Sequence, residues 1–171
     1  MKSLINAAAF QVLWFACVLG GDDWGVAALI LYLLFHHYYF VTRSTEWYLI
    51  LLFIALGIAI DGALIFGGWI SMPPSIWPLP IPPPWLLGLW AGVGSLFFHC
   101  LRWGQRYPWI LSSMAAISAP GSYVLGADLA QVSLAEPMLE TLVLMGFIWF
   151  WVVQVGILGV RILEKDSRYK S

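Results

Sequence analysis

Charge is what this chain has least of. Eight lysines and arginines and nine aspartates and glutamates make up 10% of its 171 residues, with a formal net charge of −1. Soluble domains carry about 25% charged residues, so a water-facing surface is excluded over most of the chain. Nucleic acid as a partner is excluded too, for want of a basic footprint. There are two cysteines, Cys17 and Cys100, each inside an apolar run. That leaves no disulfide framework, and both read as small packing residues. No stretch alternates apolar and polar residues as a membrane β-barrel strand must. No helix carries a pair of histidines at ligand spacing and no nucleophile sits beside a base. No catalytic residue, metal ligand set or cofactor is therefore assigned.

What the chain does have is hydrophobic length, with 61% of residues apolar. A membrane-crossing helix needs about 20 such residues, within a range of about 17–25. Six stretches qualify: residues 4–20, 24–41, 47–70, 85–101, 109–127 and 138–160. The expected fold is all-α, a single integral membrane domain of six transmembrane helices over residues 1–171. Lys2 followed by Ala7–Leu19 has the make-up of a signal peptide, but no small-x-small cleavage site follows, so it reads as an uncleaved first helix. Six crossings put every basic residue on one side: Lys2, Arg43, Arg102, Arg106, Arg161, Lys165, Arg168 and Lys170. The opposite loops hold Asp22, Asp23, Asp128 and Glu136. The positive-inside rule then predicts cytoplasmic N- and C-termini. The tail after Arg161 is read as a topology anchor.

Proline and glycine punctuate this plan. Residues 71–84 form the one long loop, on the outer side, and hold seven of the ten prolines with no charge. It reads as a stiff connector, with a lid over a cavity as the alternative. Pro120 should kink the fifth span and free a carbonyl. Gly88-x3-Gly92 and Ala59-x3-Ala63 allow close helix approach. Ser133-x2-Glu136-Pro137 reads as a helix start.

Polar residues inside the spans are the functional candidates. Asp61 lies ~20 Å along its span at ~1.5 Å per residue. An ionised carboxylate there costs at least about 3 kcal/mol on insertion scales, so Asp61 must be neutral, hydrogen-bonded or facing a wet cavity. Tyr123 reaches a similar depth and is the expected donor. Trp14, Trp90, Trp149 and Trp151 lie deep and need partners for their N–H groups. His36, His37 and His99 share the cytoplasmic half with Gln11 and Gln154, and read as a buried polar network.

Several patterns together resemble a bacterial inner-membrane family catalogued as domain of unknown function 2878. They are Asn6-x4-Gln11-x2-Trp14-Phe15-x-Cys17-Val18, Asp61 in the third span, Pro84-Trp85-x4-Trp90, His99-x-Leu101-x-Trp103 and Pro120-x2-Tyr123-x2-Gly126. The resemblance implies a multi-pass protein of the bacterial inner (cytoplasmic) membrane. It also implies a lipid-related accessory role, since such proteins are often encoded near fatty-acid-modifying and lipid-methylating enzymes. Membrane lipids, and a lipid-modifying enzyme, are the expected partners. The expected polar core or ligand site comprises Asn6, Gln11, Trp14, Asp61, Trp90, His99 and Tyr123, in a pocket between the first, third, fourth and fifth spans. A proton-coupled carrier using Asp61 and His99, and an intramembrane enzyme acting on lipid, are the alternatives.

Overall fold

A computed structural model describes residues 1–169, with side chains through Lys165. The side chains of Asp166 and Arg168, and all of Lys170, lie outside the described residues, and with them the end of the basic tail. Among the described residues the regular structure is all helical apart from one two-residue ladder. In order it runs α1 (Lys2–Tyr39), α2 (Glu46–Phe66), β1 (Ile70–Ser71), α3 (Pro84–Leu96), a 3₁₀ turn (Arg102–Gln105), α4 (Pro108–Ala130), β2 (Ser133–Leu134) and α5 (Met138–Tyr169).

The first two apolar runs form one hydrogen-bonded helix that is sharply broken within. Gly21 has φ 57° and ψ −148°, a conformation open essentially to glycine alone. The helix folds back there. The Cys17 thiol approaches the Gly25 carbonyl oxygen at 3.8 Å, and the Lys2 ammonium sits 5.5 Å from the centre of the Tyr39 ring. In a straight helix residues 2 and 39 would stand ~55 Å apart at ~1.5 Å per residue. The first arm (2–20) and second arm (22–39) therefore lie side by side.

Proline starts two of the remaining helices where theory puts it. Pro83 is extended and Pro84 opens α3, while Pro108 opens α4; a first-turn proline sacrifices no intrahelical hydrogen bond. At α5 the Glu136 carboxylate accepts the Met138 N–H at 2.7 Å. Ser133, expected in that cap, instead pairs with Ser71 in the antiparallel ladder that sets Ile70 against Leu134.

The boundaries differ from the apolar runs in instructive ways. The third run extends to Ile70, but α2 stops at Phe66 because Gly67 and Gly68 turn the chain into β1, Gly68 with φ 74°. The fourth run reaches Leu101, but α3 stops at Leu96 and passes through turns into the 3₁₀ segment. Pro120 lies within α4, which continues through it. Its missing N–H leaves the Ala116 carbonyl without its helical donor, and Gly146 of α5 lies against that oxygen, where a Cβ would come within 2.6 Å.

α3 is the centre. Eleven of its thirteen residues are buried, and it packs on α1 and α2 while α4 packs on α5. The outer helices have the opposite character. Leu31, Leu51, Ile58, Ile117, Leu139, Phe147 and Leu158 are exposed, whereas Asn6, His36, Glu46, Asp61, Ser95, Ser112 and Thr141 are buried. Apolar outside and polar inside is the order a hydrocarbon solvent imposes, since a polar group there must be satisfied within the protein. Four helices, α1, α2, α4 and α5, are long and apolar enough to cross a membrane, and the chain is read as a membrane protein.

Contacts between elements also sort the two ends of the bundle. Lys2 on Tyr39, His99 on Glu46, Arg102 on Glu164 and Arg161 on Gln105 gather at one. At the other, the Asp22 carboxylate accepts the Ser75 hydroxyl at 2.6 Å and the Ile76 N–H at 3.2 Å, tying the proline-rich loop to the α1 bend beside the ladder.

The Gly21 bend yields a test. Gly21→Ala meets no atom within 4 Å, so its cost is backbone strain of about 1–3 kcal/mol. It is expected to lower the melting temperature in detergent. Gly121→Ala, also in open space but with helical backbone, should leave it unchanged or slightly raised.

Candidate functional site

The site begins with an absence. Gly57 and Asp61 are four residues apart on α2 and share a face. With no side chain at Gly57, the Trp90 indole of α3 lies directly over it; a Cβ there would overlap the ring. That position lets the indole Nε1–H donate to Asp61 Oδ2 at 2.6 Å. From α4 the Tyr123 hydroxyl donates to Asp61 Oδ1 at 2.8 Å. Asp61 is fully buried, so one carboxyl group joins three helices and both of its oxygens are used. Trp149 of α5 completes the arrangement by stacking on Trp90, ring centres 4.9 Å apart and planes 19° from parallel.

Beside this junction lies a cavity of about 660 Å³, within the size range of small-molecule sites. Its walls come from the first arm of α1, from α3, α4 and α5, and from the β1–β2 ladder. Trp14, Trp85, Trp90, Trp103 and Trp149 line it together with Phe10 and Phe97, and Ser3, Gln11, Ser118, Ser122 and Tyr123 supply polar groups. Leu89 and Val93, the two α3 residues that are not fully buried, face it.

The seven sequence candidates divide around that cavity. Gln11, Trp14, Trp90 and Tyr123 line it. Asp61 stands behind the wall and holds two of those side chains in place. Asn6 is fully buried, and its Oδ1 accepts the Cys100 backbone N–H at 3.4 Å. His99 is elsewhere: its Nε2 meets Glu46 Oε2 at 2.8 Å, at the start of α2. The expected pocket between the first, third, fourth and fifth runs is corrected on one wall. α2 contributes no lining residue, the third run reaching the wall only through Ile70 in β1, and α5, the sixth run, joins the wall, because Trp90 fills the space in front of Gly57.

Sequence reasoning missed Glu46 and Trp149. Glu46 is the first residue of α2 and buried, with Oε1 accepting the Thr42 and Arg43 N–H groups at 2.9 and 3.3 Å. Its signal was available: an acidic residue at the threshold of an apolar run, on the basic side of the chain. Trp149 was flagged only as a deep indole, and nothing in the sequence pairs it with Trp90. Gln154, expected to share a buried polar network with the histidines, is bonded elsewhere. Its amide donates to Ser112 Oγ at 3.1 Å and clips α5 to α4 instead.

Removing the Asp61 carboxyl leaves two buried donors without acceptors, each costing about 1–3 kcal/mol. Asp61→Ala should therefore unfold at clearly lower temperature than wild type. Once Trp90→Phe has removed one donor, the same substitution should cost measurably less. A thermal-unfolding double-mutant cycle in detergent reads this coupling; additive effects would show that the bond carries no stability.

A family model described as Protein of unknown function (DUF2878) matches residues 3–155. That span takes in every residue of the Asp61 junction and the cavity wall. No curated protein matches the chain, and no solved structure does.

Proposed function

The chain belongs to the DUF2878 family, and we propose that this member holds a membrane lipid, acyl chain inward, in the cavity beside Trp14, Trp90 and Tyr123. The carrying observation is that cavity's chemistry. About 660 Å³ of space is walled mainly by aromatic and aliphatic side chains, with a few hydroxyl and amide groups contributed by α1 and α4. Apolar walls with sparse, directed polar groups suit a ligand that is hydrocarbon over most of its length. Such a ligand is also the most abundant molecule around any protein with this surface.

In this proposal six segments cross the membrane, the two arms of α1 counting separately. α3, at thirteen residues, is short for a crossing of about 20 residues, but it is sheathed by its neighbours and continues through turns to the 3₁₀ segment. The end bearing Lys2, Arg43, Arg102, Arg106, Arg161 and Lys165 faces the cytoplasm, following the distribution of basic residues. The membrane is the bacterial inner membrane. The protein acts as an accessory to lipid modification, presenting or sequestering a lipid for a partner enzyme. Asp61 serves by positioning Trp90 and Tyr123 in the cavity wall. Its two bonded oxygens give a smaller role to the alternative of a proton carrier.

Extraction in native bilayer patches followed by lipid mass spectrometry tests the proposal. One lipid species is expected to be enriched over the bulk membrane of the same cells. Ser122→Trp, which fills the cavity, should abolish that enrichment. Ile117→Trp, on the exposed face of the same helix, should not. Retained lipid identical to bulk in the wild-type protein would overturn the reading, and liposome flux with Asp61→Asn would then test the carrier.

A further inference from the structure

His36 is the least explained side chain in the molecule. It is 1% exposed, and among the described residues neither ring nitrogen has a hydrogen-bond partner. In the neutral ring one nitrogen carries a proton and the other a lone pair, both of which water would have satisfied, so a buried imidazole normally finds partners. Packing does not supply one, since its ring neighbours are Tyr32, Phe40 and His99.

Two other groups converge on it from different elements. Donor atoms of His36, at the end of the second arm of α1, of Glu46, at the start of α2, and of His99, just beyond α3, all lie within 4.8 Å of one another. The His36 and His99 rings are 5.2 Å apart and nearly perpendicular, at 76°, so they meet edge to face. Glu46 is already oriented. Its Oε1 is occupied by Thr42 and Arg43 N–H groups and the Thr42 hydroxyl, which leaves Oε2 turned to His99. Outer hydrogen bonds of this kind fix a carboxylate ligand before the metal arrives.

We propose that His36, Glu46 and His99 bind a first-row divalent transition metal ion, with zinc as the best-matched candidate. Two imidazoles and one carboxylate are a recurring three-residue zinc donor set, leaving a fourth position for water or another ligand. Nitrogen-rich mixed donors select zinc and its neighbours over magnesium or calcium, which take oxygen. Ligand bonds of 2.0–2.1 Å in tetrahedral geometry set donor atoms about 3.3 Å apart. Glu46 and His99 stand at 2.8 Å across a hydrogen bond that the ion would replace, so a slight parting of that pair and a side-chain adjustment of His36 close the set. His37 is excluded from it, its ring lying on Tyr38 and Trp47. The site is independent of the lipid proposal: none of its three residues lines the cavity.

The test uses the full chain in detergent, stripped with chelator and titrated with Zn²⁺. Wild type is expected to take up one equivalent and melt at higher temperature with it. His36→Phe keeps the ring packing and removes the two unpartnered nitrogens, so the metal-free variant should fold at least as well while zinc affinity falls by at least about tenfold. His37→Ala should bind as wild type does. Should His36→Phe fail to fold, Co²⁺ added to the wild-type protein decides. Strong visible absorption of four-coordinate cobalt supports the site, and the weak spectrum of the aquo ion overturns it. No zinc uptake by wild type, or unchanged affinity in a folded His36→Phe, overturns it equally.

Discussion

A carboxyl group without water must find its donors inside the protein, and much of this structure follows from where Asp61 finds them. One donor comes from α3 and one from α4, so a single residue of α2 sets the relative height of three helices. Apolar packing alone gives weak directional preference in hydrocarbon, where neighbouring lipid tails are as apolar as leucine. Hydrogen bonds supply the direction. Tyr32 with Ser95 at 2.6 Å joins the second arm of α1 to α3 in the same way, and Gln154 with Ser112 joins α5 to α4. The main helix contacts of the bundle, α1 with α3, α2 with α3 and α4 with α5, thus each carry a polar tie, and the tie at Asp61 is the one that branches.

α3 separates two kinds of chemistry. Leu89 and Val93 present its one incompletely buried stripe to a cavity suited to hydrocarbon. Just past its end, Cys100 joins the cavity wall while His99 turns to Glu46 and His36. The helix is rich in small residues where others cross it: Gly88 and Gly92 face the two arms of α1, and Gly94 faces the backbone of α2 at Ile50. Close approach on those sides is what leaves its remaining side free to line a space.

The sequence made the apolar segments legible, because lipid exposure demands continuous runs and leaves them visible without any alignment. Asp61 and Tyr123 were legible as partners by depth alone. Trp90 was legible as a deep indole in need of an acceptor, though not as the partner of that aspartate: the contact depends on Gly57, whose role is to be empty. The convergence of His36, Glu46 and His99 was hidden for a different reason. Adjacent His36 and His37 diverge on a helix, and no single element holds two of the three residues, so only tertiary folding brings them together. The β1–β2 ladder was equally hidden. Two residues are too few to show alternation, and their pairing is set by where the flanking helices end.

The stacking of Trp149 on Trp90 has an optical consequence. Indoles held face to face at 4.9 Å share their excitation, so their electronic transitions mix and acquire rotational strength that isolated indoles lack. Because one ring belongs to α3 and the other to α5, that coupling exists only while the two helices stay in register. The chain carries an intrinsic chromophore pair at the wall of its own cavity, sensitive to whatever occupies the space beside it.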